Sequence, residues 1–175
     1  MAKICCSSFL GKSSGFTLIE LITVVGVISI LAVIGITALD PMSQFQKSSD
    51  ARKKSDLSQI QKALETFYQD AGRYPENPGI GDYRIKSNDA SGTTIDWGAP
   101  WQPYMNLLPK SPDSSSYVYY VSDDGQAFYL YASLGRGGKD AQACHTDGSK
   151  CDNAPDDANC GGICNYGATS SNVNP

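Results

Sequence analysis

At 175 residues, with 14 Lys and Arg against 18 Asp and Glu, the chain suits one domain plus an anchor and carries a formal charge of −4. No basic stripe offsets phosphate repulsion, which argues against nucleic acid as a direct partner. Its single histidine, His145, and the lack of a Gly-rich phosphate loop, metalloprotease motif or nucleophile elbow argue against an enzyme.

Residues 1–15 contain Lys3, Lys12 and several serines, too polar to insert into a bilayer, and are expected to stay cytoplasmic. From Phe16 to Leu39 run 24 residues in which Glu20 is the only charge. As a helix rising about 1.5 Å per residue this stretch is roughly 36 Å long, enough to cross a hydrocarbon core of about 30 Å. It exceeds the h-region of a secretory signal, and no small-residue cleavage site follows it. Glu20 costs about 2.5–3.5 kcal/mol at the bilayer centre and less near the helix end. It is therefore either solvated at the interface or paired. Gly35 and Pro41 predict a kink or local melting near residues 35–41, with a simple helix end at the membrane surface as the alternative.

Gly15-Phe16-Thr17-Leu18-Ile19-Glu20, preceded by a short polar leader and followed by an unbroken apolar helix, resembles the class III signal of type IV pilins and type II secretion pseudopilins. The resemblance implies cleavage after Gly15 by a prepilin peptidase and N-methylation of the new Phe16 amine. It implies too that Glu20 pairs with the N-terminal amine of a neighbouring subunit during assembly. Loss of residues 1–15 removes two lysines and no acid, taking the net charge from −4 to −6. Charge alone does not orient the membrane helix, because Lys47, Arg52, Lys53 and Lys54 lie beyond its far end. The family topology places the C-terminal domain outside.

From Met42 to about Ala71 a second helix is predicted, without Pro or Gly. Gln46 to Asp56 is strongly polar; then Leu57, Ile60, Leu64, Phe67 and Ala71 recur with the spacing of one buried face. Gly72 reads as its C-terminal cap, with Pro75 just beyond. Residues 75–103 read as a long loop, with short strands around Tyr83–Ile85 and Thr93–Asp96 and with Trp97 and Trp101 pinning it to the core. Tyr117–Val121 and Ala127–Ala132 alternate as strands around the Asp-Gly turn of Asp123-Asp124-Gly125-Gln126. Ala63-Leu64 through Asp70-Ala71-Gly72-Arg73-Tyr74-Pro75, then Leu108-Pro109-Lys110 and Tyr131-Ala132-Ser133-Leu134-Gly135, resembles the major pseudopilin of type II secretion systems. Asp113-Ser114-Ser115-Ser116-Tyr117 and the cysteines of the tail depart from that pattern.

Arg136 to Pro175 is poor in apolar residues and cannot bury a core of its own. Cys5 and Cys6 lie in the leader, so Cys144, Cys151, Cys160 and Cys164 remain after cleavage and read as two disulfides. Of three pairings the most local is Cys144–Cys151 with Cys160–Cys164. A rival reading is a zinc site from these cysteines and His145, although spacings of 7, 9 and 4 fit no common zinc module. Asp140, Asp147, Asp152, Asp156 and Asp157 offer oxygen ligands for a structural Ca²⁺. The resembling pseudopilins bind calcium after their Ser-Leu-Gly segment; the alternative is a set of solvating surface acids, and no cofactor is required.

The fold class expected is α+β, the type IV pilin fold. It has a long N-terminal helix, half membrane-embedded and half amphipathic, on a small antiparallel sheet with a disulfide-stapled C-terminal loop. Its divisions are a leader (1–15), a transmembrane and assembly helix (16–41) and an extracytoplasmic head (42–175). The head comprises helix 42–71, loop 72–116, hairpin 117–132 and a Cys-rich tail, 136–175. The expected function is a structural subunit of a pilus-like filament; the alternatives are the major pseudopilin of a type II secretion system and a membrane-tethered monomeric adhesin. The resemblance implies as partners the chain itself, the prepilin peptidase, an assembly ATPase, a membrane platform protein and the membrane. It implies a single-pass inner-membrane protein that becomes an extracellular or periplasmic filament.

Overall fold

The computed structural model describes residues 15–38, 40–79, 81–87 and 92–175, with the side chains of 36–38 left aside. Residues 1–14 of the expected leader, including Lys3, Lys12, Cys5 and Cys6, lie outside the described residues, as does Leu39. The chain divides into two units, Met1–Pro41 and Met42–Pro175.

In the first unit, α1 (Leu18–Ala38) is apolar on every side. Its large side chains are exposed, from Leu18 at 76% down to Val24 at 51%. Leu18–Gly35 is long and apolar enough to cross a membrane. The hydroxyls of Thr23 and Ser29 donate to the carbonyls of Glu20 (2.9 Å) and Val25 (2.7 Å), so these polar groups are satisfied within the helix itself.

The interruption expected near residues 35–41 is present. α1 runs through Gly35 without interruption to Ala38, and the break falls at Asp40, whose φ is +40°. Pro41 is the first residue of α2 (Pro41–Ala71). Proline is favoured there because the first helical N–H has no intrahelical acceptor and its fixed φ already suits a helix.

In the second unit, α2 buries Leu57, Ile60, Ala63, Leu64 and Phe67. They pack against Tyr119, Phe128, Leu130 and Ala132 of the sheet and against Trp101 and Leu108 of the long loop. Ala71, at the end of the predicted stripe, is exposed; Ala63 takes part in the core. Gly72 ends the helix with φ +71°, its N–H bonded to the Tyr68 carbonyl at 2.8 Å.

Two short strands, β1 (Ile85–Lys86) and β2 (Thr94–Ile95), pair antiparallel. The main sheet has three antiparallel strands in the order β3 (Val118–Val121), β4 (Phe128–Ala132), β5 (Tyr166–Thr169). The β3–β4 hairpin turns at Gly125, whose φ of +70° suits a residue without Cβ. β5 comes from the Cys-rich tail, where no strand is predicted, and pairs Leu130 with Ala168 and Ala132 with Tyr166.

Alternation gives the sheet two covered faces. Tyr119 and Leu130 are paired and face α2. Val118 and Tyr131 are paired on the opposite face and pack with Cys151, Ala154, Cys160 and Cys164. The tail thus closes a second small core rather than lying as a solvated loop. The free edge of β3 is capped as well: the Asn77 amide donates to the Tyr119 carbonyl (2.8 Å) and accepts from Val121 N–H (3.0 Å). The Tyr83 carbonyl accepts from Tyr119 N–H at 2.8 Å. Bonds of this kind deny an edge strand to a foreign partner.

Candidate assembly site

Gly15 and Phe16 are exposed and outside any helix. A Cβ at Gly15 would meet nothing within 4 Å among the described residues, so their packing does not require glycine there. Thr17 caps α1. The Thr17 hydroxyl accepts from Glu20 N–H at 3.3 Å, while Glu20 Oε2 accepts from Thr17 N–H (3.1 Å) and from the Thr17 hydroxyl (3.0 Å). This is a capping box, in which the first and fourth residues satisfy each other's free donors. Sequence reasoning assigned Glu20 to a partner subunit and missed this local bond, although a Thr three residues before a Glu and ahead of an apolar run is its signature.

The polar half of α2 is likewise not a solvated face. Asp50, Lys53 and Asp56 are buried at three-residue spacing, on the side continued by Leu57 and Ile60. Asp50 accepts from the N–H groups of Gly135 (2.8 Å) and Arg136 (3.1 Å). Lys53 donates to the Ser133 carbonyl at 2.6 Å and lies 2.7 Å from the Asp113 carboxylate. Asp56 accepts from the Tyr117 hydroxyl at 2.6 Å. Burial and this carboxylate neighbour push the Tyr117 phenol well above its usual pKa. Three helix charges therefore hold the chain entering β3 and the chain leaving β4. A buried charge is tolerated only when paired and hydrogen-bonded. The clue in the sequence was the stripe's own period, extended about two turns back into polar residues.

Just beyond, Asn165 brackets Leu134, accepting from its N–H (2.8 Å) and donating to its carbonyl (3.2 Å). A Cβ at Gly137 would lie 2.1 Å from Asn165 Nδ2, so glycine is required for this close approach. Lys54 bonds Asp140 at 2.6 Å and Gln142 at 2.9 Å, and its ammonium lies 5.5 Å from the Tyr166 ring centroid.

Two carboxylates here titrate low. Burial works against ionised Asp113, but hydrogen bonds from Lys53, Ser115 and Ser111 outweigh it and hold the pKa below the usual range. The Lys54 hydrogen bond lowers Asp140 in the same direction. Folded pKa values below the unfolded one contribute stability above about pH 4, lost as pH falls through the lowered values. The thermal midpoint of the head is expected to fall on acidification below about pH 4. In Asp113→Asn the midpoint at pH 7 drops and the acid loss becomes shallower; an unchanged pH profile would count against this pairing.

Cys144 is bonded to Cys151 and Cys160 to Cys164. All four sulfurs are thus used, and none remains as a thiolate for zinc. Backbone bonds tie the two loops together: Cys151 N–H to the Cys164 carbonyl and Cys144 N–H to the Asn165 carbonyl, both 2.9 Å.

The structure does not gather the five tail aspartates. Asp140 pairs with Lys54, Asp156 with Lys150 (2.7 Å) and Asp152 with His145 (3.2 Å). Asp147 accepts from Ser149 N–H and Asp157 from the Tyr83 hydroxyl. Among the described residues no three His, Cys, Asp or Glu side chains form a metal-holding group. Asp140, Asp147, Asp152, Asp156 and Asp157 thus lie against separate partners.

Residues 41–150 match the family of type II secretion system protein G, over more than half of the chain. The chain belongs to this family of major pseudopilins. No curated protein and no solved structure matches it. The family is structural rather than enzymatic, and the chain is of the pilus-like subunit kind that assembles into a filament. The matched range begins with α2 and contains the Asp50, Lys53 and Asp56 anchors together with both hairpin strands. Cys151, Cys160, Cys164 and β5 lie beyond it. α1 and its capped start lie before it.

Proposed function

We propose that the chain is the major pseudopilin of a type II secretion system, cleaved after Gly15, N-methylated at Phe16 and polymerised through its N-terminal helix. The family match over residues 41–150 carries this reading. α1 supports it: an apolar helix exposed all round needs either lipid or a bundle of its own kind around it. Passage from one to the other loses little apolar burial, so a cytoplasmic ATPase and a platform protein can drive it. The head, residues 42–175, stands on the extracytoplasmic side.

Glu20 sets the register. Both of its capping bonds end on Oε2, which leaves Oε1 for the Phe16 amine of a neighbouring subunit. Opposite charges about 4 Å apart attract by about 4 kcal/mol at an effective dielectric near 20, comparable to the cost of placing a carboxylate in the bilayer. The two tail disulfides favour a second reading, a surface pilus, since paired cysteines are frequent in true pilins.

Glu20→Ala is expected to abolish filament incorporation while membrane insertion stays intact. Normal filaments from that variant would sink the pairing. The intact, non-reduced mass of filament protein should correspond to residues 16–175 plus one methyl and minus four hydrogens. Material sheared from the cell surface would favour the pilus, and a periplasmic filament the pseudopilus. Full-length chain confined to the membrane would overturn both and leave a tethered adhesin.

A further inference from the structure

The head carries opposite charges at the two ends of α2. At one end a cavity of about 360 Å³ is lined by Lys47, Lys54, Arg136 and Lys139, with Asp50 and Asp140 as its acids. Four cations against two acids leave this lining at +2 in a chain whose formal charge is −4. Asp50 is taken by the N–H groups of Gly135 and Arg136. Asp140 is held by the Lys54 ammonium, and Arg136 acts on it electrostatically. Lys47 and Lys139 are exposed and have no ion pair among the described residues.

At the other end the β3–β4 hairpin lays its turn against the last residues of α2. The Tyr68 hydroxyl donates to Gln126 Oε1 at 2.6 Å, and the Gln126 amide donates to the Gly72 carbonyl at 3.3 Å. Tyr74 N–H donates to the Gly125 carbonyl at 2.9 Å. Asp124 Oδ1 accepts from the Ser122 hydroxyl (2.6 Å) and Gln126 N–H (2.9 Å), which stiffens the turn. Asp123 and Asp124 are exposed, and neither has an ion pair among the described residues. Arg73 passes beside Gly125 but is paired with Glu76 at 2.7 Å, so the turn keeps its charge of −2.

A fixed knob of −2 and a hollow of +2 are complementary, yet they cannot meet within one head. The helix residues of the cleft end at Lys54 and the turn is tied to Tyr68 and Gly72. The fourteen positions from Lys54 to Tyr68 put about 21 Å of helix between them. The knob of one copy therefore requires the hollow of another. A contact between different faces of identical subunits is heterologous, and it repeats as an open filament where the rotation does not close. Complementary charge also fixes register and rejects wrong partners. We propose that the Asp123-Asp124 turn of one subunit seats in the cleft of Lys47, Arg136 and Lys139 on a second copy. The proposal rests on the filament part of the functional reading and names the head surfaces that meet in it.

Filaments of the full chain, treated with a water-soluble carbodiimide, test the contact. The reagent joins a carboxylate to an amine as an amide with no spacer, so only touching groups are linked. Mass spectrometry of the digest should show Lys47 or Lys139 joined to Asp123 or Asp124, a bond that the spacing within one head forbids. The pair K47E and K139E should cut filament yield at least about tenfold, and D123K should do the same, because like charges then face each other. Asp124 is left in place because it holds the turn. A chain carrying all three changes should regain filaments, which a folding defect would not allow. The milder K47Q with K139Q, and D123N, should lower the yield less with an unchanged circular dichroism spectrum. Native filaments without this crosslink would overturn the contact and leave the assembly reading standing. So would a triple variant no better than its parents. Cleft lysines joined to acids of a different protein would assign another occupant and overturn the proposal. A native chain that forms no filaments would overturn the assembly reading, and the contact with it.

Discussion

Reduction of both disulfides is expected to lower the stability of the head by about 4–5 kcal/mol. The bridges span 7 and 4 residues, and closing loops that short contributes roughly 2–2.5 kcal/mol each in the chain-entropy account. Against a typical total of about 5–15 kcal/mol, that is a third or more of the whole. The effect should reach beyond the tail, because β5 pairs with the central strand β4 and the half-cystines cover Val118 and Tyr131. Urea unfolding of the full chain in micelles, with and without reductant, measures the loss. The near-ultraviolet signal of the tyrosines facing the tail should change in the reduced form. An unchanged midpoint after reduction would mean that packing alone docks the tail.

Phe67→Ala is expected to cost about 3–5 kcal/mol, the range for a large aromatic removed from a tight core. Phe67 is 1% exposed, with its ring 5.8 Å from the Trp101 ring and 4.9 Å from that of Tyr104. Its loss empties the contact between α2 and the long loop. Cleavage of residues 97–108 by a protease should therefore accelerate together with the fall in urea midpoint. Ala71→Ser serves as the control. Hydrophobic periodicity puts Ala71 on the same stripe, but it is exposed at the helix end, so the change should stay within about 0.5 kcal/mol. A loss at position 71 comparable to that at 67 would contradict the packing described here.

Helix α1, the apolar half of α2, the β3–β4 hairpin and the local disulfides were legible because each depends on residues close in sequence. Hydropathy over 24 residues requires a nonaqueous surrounding whatever the remainder of the chain does. Leu57, Ile60, Leu64 and Phe67 lie on one side of any helix. Gly125 marks a turn through its own backbone freedom.

Other features depended on partners distant in the chain. Asp50, Lys53 and Asp56 resemble solvated residues until Gly135, Ser133, Asp113 and Tyr117 arrive to satisfy them across 60 to 85 positions. Tyr166-Gly167-Ala168-Thr169 carries no strong strand pattern, and becomes β5 because β4 offers an unpaired edge. Asp140, Asp147, Asp152, Asp156 and Asp157 look like one ligand set along the chain, yet Lys54, Ser149, His145, Lys150 and Tyr83 draw them apart.

The sequence by itself determined that this chain has a membrane-length helix, an amphipathic helix, a hairpin and an even set of cysteines. Those features follow from local sterics and from the transfer of apolar side chains out of water. Only the tertiary structure decided which charges are buried, where the tail docks and how a basic cleft forms on an acidic protein. Each of these requires groups remote in sequence to meet, and the cost of leaving a buried charge or backbone group unpaired selects the arrangement in which they do.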